Sequence, residues 1–88
     1  MTFAVEFKKS AEKEFSRLPK AVMRRFADAI EQVSEDPVRA RPGADIKRLH
    51  GAKSTWRLRV GDFRGIYEVM DGRIVFTRFA HRSKVYDA

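Results

Sequence analysis

The sequence predicts an α+β, two-layer domain in which an antiparallel β-sheet packs on an N-terminal helical hairpin. Two observations carry this expectation. Between residues 11 and 33 apolar side chains recur at helical spacing in two stretches split by a proline. From residue 55 to 80 they alternate around two-residue reversals at Gly61-Asp62 and Asp71-Gly72, the spacing of tight hairpins. The 88 residues leave room for one core, so residues 1–88 are expected to form a single domain in the order β-α-α-β-β-β-β.

The elements follow in turn. Phe3, Val5 and Phe7 alternate with polar neighbours over Thr2 to Lys8, an opening strand with one buried face. Ser10 is suited to cap the first helix, which carries Ala11, Phe15 and Leu18 on a narrow stripe. Pro19 interrupts it, having no amide to donate and disfavouring a helical residue before it. A second helix then sets Val22, Phe26, Ile30 and Val33 on a wider stripe and stops at Asp36-Pro37. Arg39 to Asp45 is loop chemistry, and Ile46 to Leu49 forms a short strand before His50-Gly51 turns the chain. Two longer strands and the return through Ile74, Phe76 and Phe79 complete a meander. By strict alternation Arg78 falls on the inner side of that last strand.

Charge is unevenly distributed. The formal net charge is +7, and residues 46–88 carry ten Lys/Arg against four Asp/Glu, whereas residues 1–45 hold nine against eight. A basic half beside a neutral half gives a directed electrostatic footprint and points to a nucleic-acid partner. No cysteine is present, which removes disulfides and thiolate metal sites and suits a reducing cytoplasm. No apolar stretch approaches the roughly 20 residues that span a bilayer, so no membrane role is expected.

The hairpin around Gly61-Asp62 concentrates the charge. A two-residue loop fixes the register: Val60 faces Phe63, Arg59 faces Arg64, Leu58 faces Gly65, Arg57 faces Ile66 and Trp56 faces Tyr67. Trp56, Leu58, Val60, Phe63 and Tyr67 then share the core side, while Arg57, Arg59 and Arg64 share the other, which no helix remains to cover. Like charges side by side in a sheet are destabilising. The pattern therefore points to a reward outside the fold, most simply a polyanion.

Three segments, Leu49-His-Gly, Trp56-Arg-Leu-Arg-Val-Gly-Asp-Phe-Arg-Gly-Ile-Tyr-Glu-Val and His81-Arg-Ser-Lys-Val-Tyr, together closely resemble the RelE/ParE superfamily of toxins from type II toxin–antitoxin systems. The likeness covers nearly the whole chain. For the RelE branch it implies ribosome-dependent cleavage of messenger RNA in the A site, by attack of the substrate's own 2′-hydroxyl and without metal or other cofactor. Carried over by position, Arg57 and Arg59 match basic residues of the third strand, and Arg64 matches the arginine that grips the scissile phosphate. Arg82 falls near the proposed acid, Tyr86 matches a C-terminal tyrosine that orients substrate, and His81 stands where relatives place a histidine.

Where the best-studied RelE pattern has lysines, this chain has Arg57 and Arg59. An arginine keeps its proton above pH ~12, so both are expected to stabilise charge rather than accept a proton. The base is left to Tyr86, His81 or the ribosome, with Asp45 and Glu68 as the carboxylate alternatives. Lys47, Arg48, Lys53 and Arg73 are expected to steer the protein toward RNA. The resemblance also implies a RelB-like antitoxin, acidic and partly disordered when free. It leaves open a ParE-like toxin that binds DNA gyrase without catalysis, and a catalytically weak binding relative.

Overall fold

The computed structural model describes residues 2–51 and 53–85. Five strands, β1 (Ala4–Phe7), β2 (Ile46–Arg48), β3 (Thr55–Val60), β4 (Phe63–Met70) and β5 (Arg73–His81), form one sheet in the order β1-β5-β4-β3-β2. Helices α1 (Lys9–Ser16) and α2 (Lys20–Glu35) follow β1, and a single 3₁₀ turn, Arg82–Lys84, follows β5. The α+β two-layer arrangement is the expected one. No helix among the described residues is long and apolar enough to cross a membrane.

Two local expectations are corrected. From β2 to β5 the sheet is antiparallel, but β1 pairs parallel to β5, with Val5 opposite Ile74 and Phe7 opposite Phe76, so the sheet is mixed. The helices carry the chain from one edge of the sheet to the other, which makes the last strand the neighbour of the first. As an edge strand, β1 also leaves Val5 exposed. Ser10 is not the cap of α1. Lys8 donates its amide to Phe76 O at 2.9 Å, so strand pairing runs to residue 8 and the helix begins at once, with no side-chain cap.

The core lies between the helices and the sheet. Phe26, Val33, Leu58, Tyr67, Ile74 and Phe76 are buried there with Phe79. A bulge makes that packing possible. Tyr67 pairs with Phe76 and Ile66 with Arg78, leaving Thr77 as an extra residue, so both Phe76 and Phe79 point inward. Their rings stack at 5.2 Å and 14°. Arg78 is turned outward, against the alternation. The Phe79 amide, displaced from the ladder by the bulge, donates instead to Glu14 Oε1 of α1 at 2.9 Å.

Tyr67 spans the core, and its hydroxyl donates to Pro37 O at 2.7 Å. Burial pushes this phenol well above its ordinary range. Because the folded value lies above the unfolded one of about 10, stability is unaffected below pH ~10 and falls as pH rises beyond it. Tyr67→Phe is expected to cost about 1–3 kcal/mol near neutral pH, since Pro37 O loses its donor. The variant should also lose part of the alkaline decline, which denaturant titrations at pH 7 and pH 11 would measure.

Candidate functional site

The site grows from the β3–β4 reversal. Gly61 opens it at φ +58°, a left-handed conformation that suits glycine, and the ladder beyond follows the predicted register from Val60–Phe63 to Trp56–Tyr67. Arg57, Arg59 and Arg64 consequently share one face.

That face is not uncovered, and here the expectation is corrected. Arg57 is 7% and Arg64 5% exposed. Arg64 folds back over the turn, its Nη1 donating to the carbonyls of Gly61 at 3.0 Å and Phe63 at 3.1 Å. Asp45, in the loop before β2, stands between the other two: Arg59 Nε donates to its Oδ2 at 2.7 Å, and Arg57 Nη2 lies 3.7 Å from its Oδ1. Part of the like-charge repulsion is therefore answered inside the fold.

Next to the turn an open cleft of about 940 Å³ separates α2 from the ends of β3 and β4. Arg25 of α2, Arg59, Arg64 and Arg82 all line it. Arg82 arrives from the far end of the sequence because its amide donates to Asp62 O at 2.7 Å, fastening the 3₁₀ turn to the hairpin loop. Its side chain is 65% exposed, with Nε 3.9 Å from Asp62 Oδ1. Four guanidinium groups around one open cleft form a seat for an anion with several oxygens, such as a phosphodiester. The carboxylates of Asp28, Asp45 and Asp62 line the same cleft. Among the described residues, no cluster of three or more His, Asp or Glu side chains could hold a metal ion.

The remaining predicted residues are distributed elsewhere. Arg57 shares the sheet face of Arg59 but does not line the cleft. His81 is exposed, its ring edge-on to Phe63 at 5.4 Å and its Nδ1 accepting from Ser83 N at 3.1 Å. It caps the 3₁₀ turn rather than lining the cleft. Lys47 and Arg48 of β2 and Lys53 beyond it are exposed. Arg73 sits at the opposite end of β5, its Nη1 donating to Glu6 Oε1 and Oε2 at 3.0 and 3.2 Å. Tyr86 lies outside the described residues. Glu68 pairs with Thr55 and Val75 within the sheet, away from the cleft.

Sequence reasoning missed Arg25, Asp28 and the pairing role of Asp45. Arg25 and Asp28 read as part of an ordinary solvated helix face, and only the docking of α2 beside the hairpin singles them out. For Asp45 a signal existed, since three register-fixed arginines call for a nearby carboxylate.

Residues 5–86 match the family described as the ParE toxin of type II toxin–antitoxin systems, parDE. The toxin RelE3 of Methanocaldococcus jannaschii is 31% identical over 83 residues, 94% of this chain and 94% of that one. The chain named RelE1 in the same archaeon is 37% identical over 79 residues, covering 89% and 87%. Among solved structures, the archaeal RelE–RelB complex from Pyrococcus horikoshii aligns with a TM-score of 0.79 at 32% identity, over 97% of this chain and 100% of that one. The isolated Escherichia coli RelE toxin shares the fold, with a TM-score of 0.78 at 19% identity over 90% and 83%.

Proposed function

The chain belongs to the ParE toxin family of type II toxin–antitoxin systems, and from that premise we propose that it is a RelE-like endoribonuclease cutting messenger RNA in the ribosomal A site. The observation supporting this reading is the meeting of Arg59, Arg64 and Arg82, from three separate elements, at one open cleft.

The reaction needs no water. The 2′-oxygen of the upstream ribose gives up its proton and bonds to the adjacent phosphorus, and the P–O5′ bond breaks with its electron pair leaving on the 5′-oxygen, which takes up a proton. The products are a 2′,3′-cyclic phosphate and a free 5′-hydroxyl. Charge builds on the phosphorane oxygens and on the leaving oxygen. Arg64, held by two turn carbonyls, and Arg59, held by Asp45, are donors fixed before substrate arrives, the condition under which electrostatic stabilisation is most effective. Exposed Arg82 is suited to the leaving oxygen. Proton removal from the 2′-hydroxyl falls to Tyr86 or a ribosomal group, His81 being held at the 3₁₀ turn outside the cleft.

Lys47, Arg48 and Lys53 add a salt-sensitive attraction to ribosomal RNA. The RelE chains from Pyrococcus horikoshii and Methanococcus jannaschii were crystallised with RelB. By the same chemistry this chain takes an acidic antitoxin that covers the cationic cleft, in the cytoplasm where its target is found.

A second reading, a toxin that binds and inhibits DNA gyrase without catalysis, is favoured by the ParE description of the matched family. Translation of a defined message followed by primer extension separates the two. Cuts confined to A-site codons support the nuclease. Intact message together with blocked gyrase supercoiling supports the gyrase inhibitor.

A further inference from the structure

We propose that Asp45 is a positioning residue for the cleft: it acts through Arg59, whose guanidinium it aims at the substrate phosphate. This inference rests on the nuclease reading.

Asp45 is anchored on both sides. Just before it, Arg41 and Ala44 exchange two backbone hydrogen bonds of 3.1 and 2.8 Å around the Pro42-Gly43 turn, and Ala44 is fully buried. Asp45 O then accepts from Arg59 N at 2.9 Å, extending the pairing of β2 with β3 by one rung. The side chain meets the same residue again, Oδ2 accepting from Arg59 Nε at 2.7 Å. Main chain and carboxylate thus grip Arg59 at two points.

An arginine offers five N–H donors in a rigid planar fork. With Nε committed to Asp45, the plane of the fork is set, and the terminal amino groups are the part of Arg59 left for a ligand. The carboxylate is half-exposed and lines the cleft itself, 3.7 Å from Arg57 Nη2. It therefore opposes binding of an anion while improving the aim of the group that contacts one. Those two effects have opposite signs, which makes the role testable.

The test is single-turnover cleavage of a defined message on programmed ribosomes, with toxin concentration varied. Asp45→Ala lowers the maximal rate by about 10–100-fold, the scale of a misplaced catalytic group. The concentration for half-maximal rate stays the same or falls, since a negative charge has left the cleft. Asp45→Asn keeps an acceptor oxygen for Arg59 Nε but a neutral, weaker one, and slows the rate about 2–5-fold. It preserves the loop, so it carries the comparison should the alanine variant fail to fold. In an Arg59→Ala background neither Asp45 substitution lowers the rate further.

A readout independent of activity is water exchange of the Arg59 Nε proton by NMR, slow in the wild type and fast in Asp45→Ala. Additive losses in the double variants, an unchanged maximal rate in Asp45→Ala, or a rapidly exchanging Arg59 proton in the wild type would overturn the role of Asp45 alone. A wild-type protein that leaves the message intact would overturn the nuclease reading with it.

Discussion

Arg64→Ala is expected to lower the rate of message cleavage by about 10²–10³-fold, the usual loss when one preorganised transition-state donor is removed. The side chain is nearly inaccessible, yet it lines the cleft, and its Nη1 is tied to the carbonyls of Gly61 and Phe63. It is held in place before any phosphate arrives, so little reorganisation is left to the moment of reaction. Those turn contacts also mean that the alanine variant loosens the hairpin. Arg64→Lys separates the two effects: it keeps the charge but loses the planar fork, and should recover stability more fully than rate. Thermal unfolding beside single-turnover kinetics makes the comparison. Recovery of full rate by lysine would show that position 64 supplies charge alone.

Phe79→Ala is expected to destabilise the fold by about 3–5 kcal/mol, the range for deleting a buried aromatic ring. Its ring centroid lies 5.0 Å from those of Phe7 and Phe15 and 5.2 Å from those of Phe26 and Phe76, so one ring joins β1, both helices and its own strand. A domain of 88 residues has roughly 4–13 kcal/mol in all, so the loss is a large share of the total. Gly65 belongs to the same packing unit. A Cβ there would stand 2.9 Å from Phe79 Cε1 and 3.3 Å from Phe26 Cε1. Gly65→Ala should therefore cost about 1–3 kcal/mol by overpacking. In the Phe79→Ala background most of that penalty should vanish, a coupling that chemical denaturation of the four-variant cycle measures. Additive penalties would place the clash elsewhere.

The hairpin was legible because its geometry is local. A two-residue loop dictates which side chains meet, and alternation then dictates their side, so the meeting of Arg59 and Arg64 follows from residues 56–67 alone. What reaches those arginines from a distance was not legible. Asp45 arrives from another loop, Arg25 from α2, and Arg82 from the far end of β5, where its amide bonds to Asp62 O. The exposed arginine face was misread for this reason: the pattern gives the side of the sheet, not what covers it. Arg78 was placed inward because one inserted residue, Thr77, resets the alternation, and no residue type in that strand announces a bulge. The parallel pairing of β1 was hidden likewise, since alternation identifies a strand but not its neighbour or direction.

The nuclease account depends on guanidinium groups acting at a shared cleft, and Arg82 is the member best suited to test it. It is largely exposed, carried on a short turn outside the core, and its Nε stands 3.9 Å from Asp62 Oδ1 of the hairpin. The decisive measurement is the single-turnover rate at which wild type and Arg82→Ala cut the same message on programmed ribosomes. The account predicts A-site cutting by the wild type and about 10–100-fold slower cutting by the variant, with an unchanged unfolding midpoint. Equal rates for the two proteins would contradict it.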